Sequence, residues 1–227
     1  GIHLYAAVVT ALLGRERTGR GHFVEVSMLE AVYCSLSSPL GLYFGSDGQI
    51  PMRTGNRHSG LAEAPYNVYP AADGYIALIC VSETHWKSLL EAMDRTDLND
   101  DPRLGSLKAR VENIDFVDET ISAWTSVRTR DEIYDKLRKH RVPSAPVRDL
   151  GEVVHDPHLH ERGMLRPVQH PLLGDLILPT TPLRFDGETP PEISPSKELG
   201  ADNDRVYAEF LGLGDGEIAE LRKEGVI

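Results

Sequence analysis

The sequence predicts an α/β chain with a small α+β unit in its middle, and three observations carry that reading. The opening "GIHLYAAVVTALLGRER" places Ile2, Ala6, Val9 and Leu13 at helical spacing. "HFVEVSM" then alternates Phe23, Glu25 and Ser27 against Val24, Val26 and Met28, the period of a strand with one polar face. From Tyr66 the pattern shifts to a hairpin followed by amphipathic helices, and the middle unit extends over about 66–160.

The first helix has no Ser, Thr, Asp or Asn ahead of it to act as N-cap, and no initiator Met. Gly1 therefore reads as lying at a helix already under way, and the chain as a fragment continuing upstream. "RTGRG" is a glycine-rich turn. "LEAVYCSLSSPLGLYF" has the length and composition of a mostly buried helix, kinked at Pro39. "RTGNRHSGLAEAPY" (53–66) follows, with two arginines, a histidine and two glycines but no hydrophobic period.

"YNVYPAADGYIALICV" reads as two strands around Asp73 and Gly74, with Pro70 keeping the loop longer than two residues. Ser82 is a candidate N-cap for the amphipathic run "SETHWKSLLEAM". Helices are expected over 111–124 and 130–139, the second opened by a capping box of Thr129 and Glu132. "VPSAPV" is a short extended piece, and "DLGEVVHDPHLHERGM" is a short helix running into a turn. "MLRPVQHPLLGDLILPTTPLRF" supplies two strands around 171–174. The proline-rich "DGETPPEISPSKELGADN" is an irregular crossing segment, and helices over 205–211 and 216–223 close the chain.

Composition narrows the function classes. At 227 residues, 41% hydrophobic and 26% charged, the chain has the make-up of a soluble globular protein of one large or two small domains. No apolar run approaches the ~20 residues of a membrane helix, and no secretory signal pattern is present. A cytoplasmic location is the expectation. The net charge of −11 argues against non-specific nucleic-acid binding. Arg15, Arg17 and Arg20 read either as a local anion patch or as a solvated helix end. Cys34 and Cys80, far apart in apolar surroundings, read as buried free thiols with no base nearby.

No local motif is a complete catalytic centre. His155, Asp156, His158 and His160 are close enough to suggest a metal. Their spacing is not i, i+4, however, and Pro157 breaks a helix there, so a helix-ending turn is the simpler reading and no metal is expected. "GLGDG" (212–216) follows a helix rather than a strand, which suits a C-cap and turn better than a phosphate cradle.

Four stretches, in order, resemble the second half of class III (CaiB/BaiF-type) CoA-transferases. They are "LLGRERTGRGHFVEVSMLEAV", "RTGNRHSGLAEAPYNVYPAADGYIAL", "VPSAPVRDLGEVVHDPHLHERGM" and "LGADNDRVYAEFLGLGDGEIAELRKEGVI". The family includes formyl-CoA and carnitine CoA-transferases and α-methylacyl-CoA racemases. The resemblance implies a large α/β domain formed by both chain ends, a small α+β domain inserted between them, and an interlocked homodimer. On that pattern 1–60 is large-domain segment and linker, 61–165 the small domain, and 166–227 the return to the large domain.

The resemblance also implies a chemistry. Coenzyme A, as acyl-CoA, and a carboxylic acid would be the substrates, with no metal, nucleic acid or membrane partner. The nucleophilic aspartate would lie upstream of Gly1 in a "D-x-x-x-G" pattern, so no catalytic residue is expected in this chain, and the chain alone should not transfer CoA. In formyl-CoA transferase a glycine-rich loop covers the acyl site at the position resembling "NRHSGLAE". By that likeness Arg57, His58, Ser59 and Gly60 are substrate-binding candidates, with Arg57 or His58 open to an acceptor carboxylate; an interdomain linker with solvated charges is the competing reading. Racemases of the family tend to carry Glu-Pro after the strand resembling "YIALICV". Here Ser82 and Glu83 stand there with no proline, which tilts the reading toward transferase. The racemase and an inactive or split homologue remain the alternatives.

Overall fold

A computed structural model describes residues 1–188 and 192–227; residues 189–191 of the proline-rich segment lie outside the described residues. Two compact units divide the chain, 1–147 and 148–227. Each mixes helices with a small antiparallel sheet.

In the first unit α1 (Ile2–Thr18) forms as its apolar spacing predicts and stops at Gly19. There φ is 70°, and the Gly19 N–H donates to the Arg15 carbonyl. Arg15 and Arg17 end that helix exposed to solvent. The strand predicted at "HFVEVSM" is not realised: residues 21–27 lie outside any described ladder. Alternation is a necessary property of a strand, but a ladder also needs a neighbouring chain segment, and none of the described strands takes that place.

The single buried helix expected next is two exposed ones, α2 (Met28–Tyr33) and α3 (Ser37–Gly45), with no buried residue in either. Pro39 does not kink a helix. It lies in the first turn of α3, where a missing N–H costs nothing, and the break falls at 34–36 because Pro39 cannot donate back to Ser35. Cys34 is exposed in that break, contrary to its expected burial.

The core of this unit lies between Ala64 and Val142. Here β1 (Tyr66–Ala71), β2 (Gly74–Ile79) and β3 (Ser144–Val147) form an antiparallel sheet in that order. The hairpin loop is two residues, Ala72 and Asp73, shorter than Pro70 led us to expect. The Cys80 N–H donates to the Pro65 carbonyl, so every second pair back to Ala71 and Gly74 is a hydrogen-bonded one. Pro70, opposite Tyr75, falls between them on an edge strand, where its missing N–H is not called on.

Tyr69, Ile76, Leu78 and Cys80 turn to one side of the sheet and pack with α4 (Glu83–Ala92), α6 (Ile114–Thr125) and α7 (Arg130–Lys139). Ser82 caps α4 by accepting from the His85 N–H at 3.2 Å. The Thr129 capping box forms as read, with Glu132 N–H to Thr129 Oγ1 at 3.3 Å and Thr129 N–H to Glu132 Oε2 at 2.9 Å. The helix expected over 111–124 is split into α5 (Leu107–Glu112) and α6. At the junction the Asn113 side chain donates to the Ala109 carbonyl at 2.9 Å and leaves the helical region. Burial pushes the Cys80 thiol up to about 12, so it remains protonated. A thiol reagent should leave Cys80 untouched until the chain unfolds, which thiol titration with and without denaturant checks.

In the second unit α8 (Leu150–Val154) is followed by α9 (Pro157–Glu161) rather than by a turn alone. Pro157 opens that helix at its first position, and Asp156 caps it by accepting from the His158 and Leu159 N–H groups. Asp156 also pairs with Arg148, and His160 meets the Val154 carbonyl at 2.8 Å. The two strands β4 (Leu165–His170) and β5 (Gly174–Pro179) and the helices α10 (Asn203–Leu211) and α11 (Asp215–Lys223) follow their sequence signals. Gly212 ends α10 with φ 70°, as a C-cap should. No described helix is long and apolar enough to cross a membrane.

Candidate functional site

The aperiodic stretch 53–65 is a built loop rather than a slack linker. The Arg57 N–H donates to the Thr54 carbonyl and Thr54 Oγ1 donates to the Arg57 carbonyl, both at 3.2 Å, closing a tight first turn. A second turn follows at Ser59–Leu61, where Gly60 has φ 72° and Leu61 φ 56°. The His58 Nδ1 accepts from the Ala62 N–H at 3.3 Å, and its ring stands edge-on to Tyr66 with centroids 5.2 Å apart. The Ala64-Pro65 bond is cis.

Two clamps hold the loop to the sheet and helices. At its front, Arg57 Nε–H donates to Asp118 at 2.7 Å and Nη2–H to Asp115 at 2.6 Å. Those aspartates sit one helical turn apart on α6, so both reach the same guanidinium. Asp118 also accepts from Asn67 Nδ2 at 3.0 Å and from the Tyr69 hydroxyl at 2.7 Å. Burial, then the charge of Asp118 and its hydrogen bond, raises the Tyr69 pKa, so the hydroxyl is a permanent donor. At its back, buried Arg110 donates to the Ala64 and Leu104 carbonyls, both at 3.0 Å, and twice to Glu83 at 2.9 Å. The Arg110 hydrogen bonds, outweighing desolvation, hold the Glu83 carboxyl below its usual value.

Two cavities border the loop. One, of about 600 Å³, lies against the sheet and is lined by Asn56, Tyr66, Val68, Ala77, Ile79 and Ala145 among others. The other, of about 300 Å³, is lined by Tyr43, Ile50, Met52, Thr54, Ser59 and Gly60 among others. Of the four sequence candidates, Ser59 and Gly60 therefore wall a cavity, and His58 is half-buried against Tyr66. Arg57, expected to be open to an acceptor carboxylate, already has two carboxylate partners within the chain.

Sequence reading missed Asp115, Asp118, Glu83 and Arg110 as loop-holding residues. Asp118 lies 61 residues from Arg57, and Arg110 46 from Ala64, so no local pattern links them. The one available hint was two aspartates at i, i+3 on a predicted helix. Among the described residues no group of His, Cys, Asp and Glu side chains is gathered as a metal site.

By fold this is an α/β chain of the CaiB/BaiF kind. It superposes on a CaiB/BaiF family protein from Brucella suis with a TM-score of 0.73, at 27% identity over 92% of this chain and 53% of that one. A sequence profile of CoA-transferase family III matches residues 1–203, and the chain belongs to that family. It is 32% identical to a formyl-CoA:oxalate CoA-transferase of Streptomyces coelicolor, over 100% of this chain and 58% of the relative. It is 36% identical to a succinyl-CoA:mesaconate CoA-transferase of Haloarcula hispanica, over 72% of this chain and 40% of the relative. The match thus spans 58% of the first relative's length and 40% of the second's.

Proposed function

We propose that the protein carrying this chain is a CoA-transferase that moves CoA from an acyl-CoA to a carboxylic acid. The observation that carries this is the likeness along the whole chain to a formyl-CoA:oxalate CoA-transferase. A carboxylate nucleophile, an aspartate upstream of Gly1, attacks the thioester carbonyl and expels CoA thiolate, leaving a mixed anhydride. The thiolate attacks the aspartyl carbonyl, releases the donor acid and leaves an enzyme thioester. The acceptor carboxylate then opens that thioester to a second anhydride, which the thiolate cleaves to give the new acyl-CoA and free aspartate. Splitting one difficult exchange into easier steps is the gain of covalent catalysis.

Anhydride and thioester intermediates hydrolyse in water, so the site needs walls. His58, Ser59 and Gly60 supply part of one, with Arg57 fastening the loop that carries them. The chain organisation 1–60, 61–165 and 166–227 and the interlocked homodimer belong to the same proposal. Support for a partner comes from α1–α3, where Ile2, Tyr5, Leu13, Met28 and Phe44 are all exposed. Glu83, at the position where racemases tend to carry Glu-Pro, is engaged by Arg110.

The test is CoA exchange by the intact protein, using formyl-CoA with oxalate and succinyl-CoA with mesaconate or malate. Formation of a new acyl-CoA matched by loss of the donor is expected. Hydrolysis alone, or racemisation of a 2-methylacyl-CoA without exchange, would overturn the reading.

A further inference from the structure

Arg57 occupies a particular place in the loop. Asn56 before it lines the larger cavity, and Ser59 and Gly60 after it line the smaller one. Whatever fixes Arg57 therefore fixes a wall of each cavity at once. Its main partner, Asp118, is largely buried, with 13% of its side chain exposed, whereas the second partner, Asp115, is 83% exposed. Charge-assisted bonds out of solvent are the stronger ones, while an exposed pair adds little. Asp118 is thus the anchor, and Asp115 an accessory.

The other donors on Asp118 say what it is anchored to. Asn67 and Tyr69 belong to β1, on either side of Val68, and Tyr66 and Val68 line the larger cavity. Three donors from two segments converge on one carboxylate of α6. This arrangement needs the charged form, because a neutral amide offers a single acceptor oxygen and would turn N–H groups toward N–H and O–H donors.

We propose that Asp118 is a positioning residue: it sets the distance of the 53–65 loop from the sheet, and so the shape of the acceptor-acid subsite beside both cavities. The proposal rests on the reading of this loop as part of the CoA-transfer site. Asp118 touches no substrate. It acts through Arg57, and it makes the loop a fixed wall that is in place before substrate arrives. Loss of its charge frees Arg57 toward solvent or Asp115, loosens the wall, and lets water compete with the acceptor acid for the enzyme thioester.

The experiment uses the intact protein and Asp118→Asn, with two independent readouts. Amide hydrogen exchange over 54–62 should accelerate about tenfold, while amides of β2 and α7 keep their protection. In the same variant the KM for the acceptor acid should rise and hydrolysis should gain on transfer, about tenfold in the ratio, with the KM for acyl-CoA held within about twofold. A merely destabilised protein would lose active fraction and lower the apparent kcat, leaving both KM values and that ratio unchanged. Unchanged exchange at 54–62 overturns the positioning role. Faster exchange with an unaltered ratio and KM overturns the reading of the loop as part of the site. Should Asp118→Asn fail to fold, Arg57→Gln cuts the same bond from the loop side and is expected to give the same pair of changes.

Discussion

Arg110→Ala is expected to destabilise the chain by about 2–6 kcal/mol, the sum for two buried carbonyls left without donors at about 1–3 kcal/mol each. Arg110 is 1% exposed. Its guanidinium forks onto both oxygens of Glu83 and donates to the Leu104 and Ala64 carbonyls, and its Cζ stands 5.0 Å from the centroid of the Trp86 ring. Truncation leaves a cavity and two carbonyls without donors, each costing about 1–3 kcal/mol when buried. Glu83 is less sensitive. With 53% of its side chain exposed, it keeps water when the arginine goes, so Glu83→Gln should cost well under the Arg110 change.

Urea unfolding of both variants checks the order, with the midpoint shifting at unchanged slope. The pH dependence supplies a second check. The Glu83 carboxyl is held below its ordinary value of 4.5 in the folded chain, so its contribution is present above that value and is lost as pH falls through the depressed one. The stability gap between wild type and Arg110→Met should therefore narrow in acid below about pH 4.5. A gap independent of pH would show that Glu83 is not coupled to Arg110. A midpoint shift for Arg110→Ala no larger than for Glu83→Gln would show that the carbonyl bonds carry no weight.

Gly60→Val is expected to strike the proposed reaction harder than any other change in the loop. Gly60 has φ 72°, and an added Cβ would stand 2.8 Å from Leu42 Cδ1 and 3.6 Å from Ile50 Cδ1. A left-handed conformation costs a non-glycine residue about 1–2 kcal/mol, more for a β-branched one, before any clash is counted. Leu42 can swing its end away, but Ile50 and Ser59 share the same cavity wall, so relief in one place crowds another. Transfer should fall by about tenfold or more, hydrolysis of acyl-CoA should gain on it, and CoA affinity should stay within about twofold. Gly60→Ala should lie between wild type and Gly60→Val. Transfer, hydrolysis and CoA binding measured on one preparation decide the matter. Normal transfer with weakened CoA binding would move this loop to the cofactor and away from the acyl group.

What was legible in the sequence is what chain neighbours decide. The 3.6-residue period marks α1, the Asp73-Gly74 turn marks the hairpin, and Thr129 with Glu132 marks the start of α7, because each signal and its effect lie within a few residues. Four ordered motifs sufficed for the family, since family membership is itself a pattern along the chain. The failures share one cause. "HFVEVSM" has the alternation of a strand but no described ladder partner, and 28–45 is apolar yet exposed, because burial depends on what lies opposite. Pro39 and Pro157 predict an interrupted helix and Pro70 a longer hairpin loop, whereas the first two open helices and Pro70 sits between ladder hydrogen bonds on an edge strand. A missing N–H is costly only where an acceptor waits for it, and tertiary geometry decides where that is. The loop at 53–65 divides in the same way. Its glycines and histidine could be read as a functional turn, but only the fold brings Asp118 to Arg57 and Arg110 to Ala64. Those contacts close over 61 and 46 residues of sequence, and at that separation sequence spacing carries no record of them.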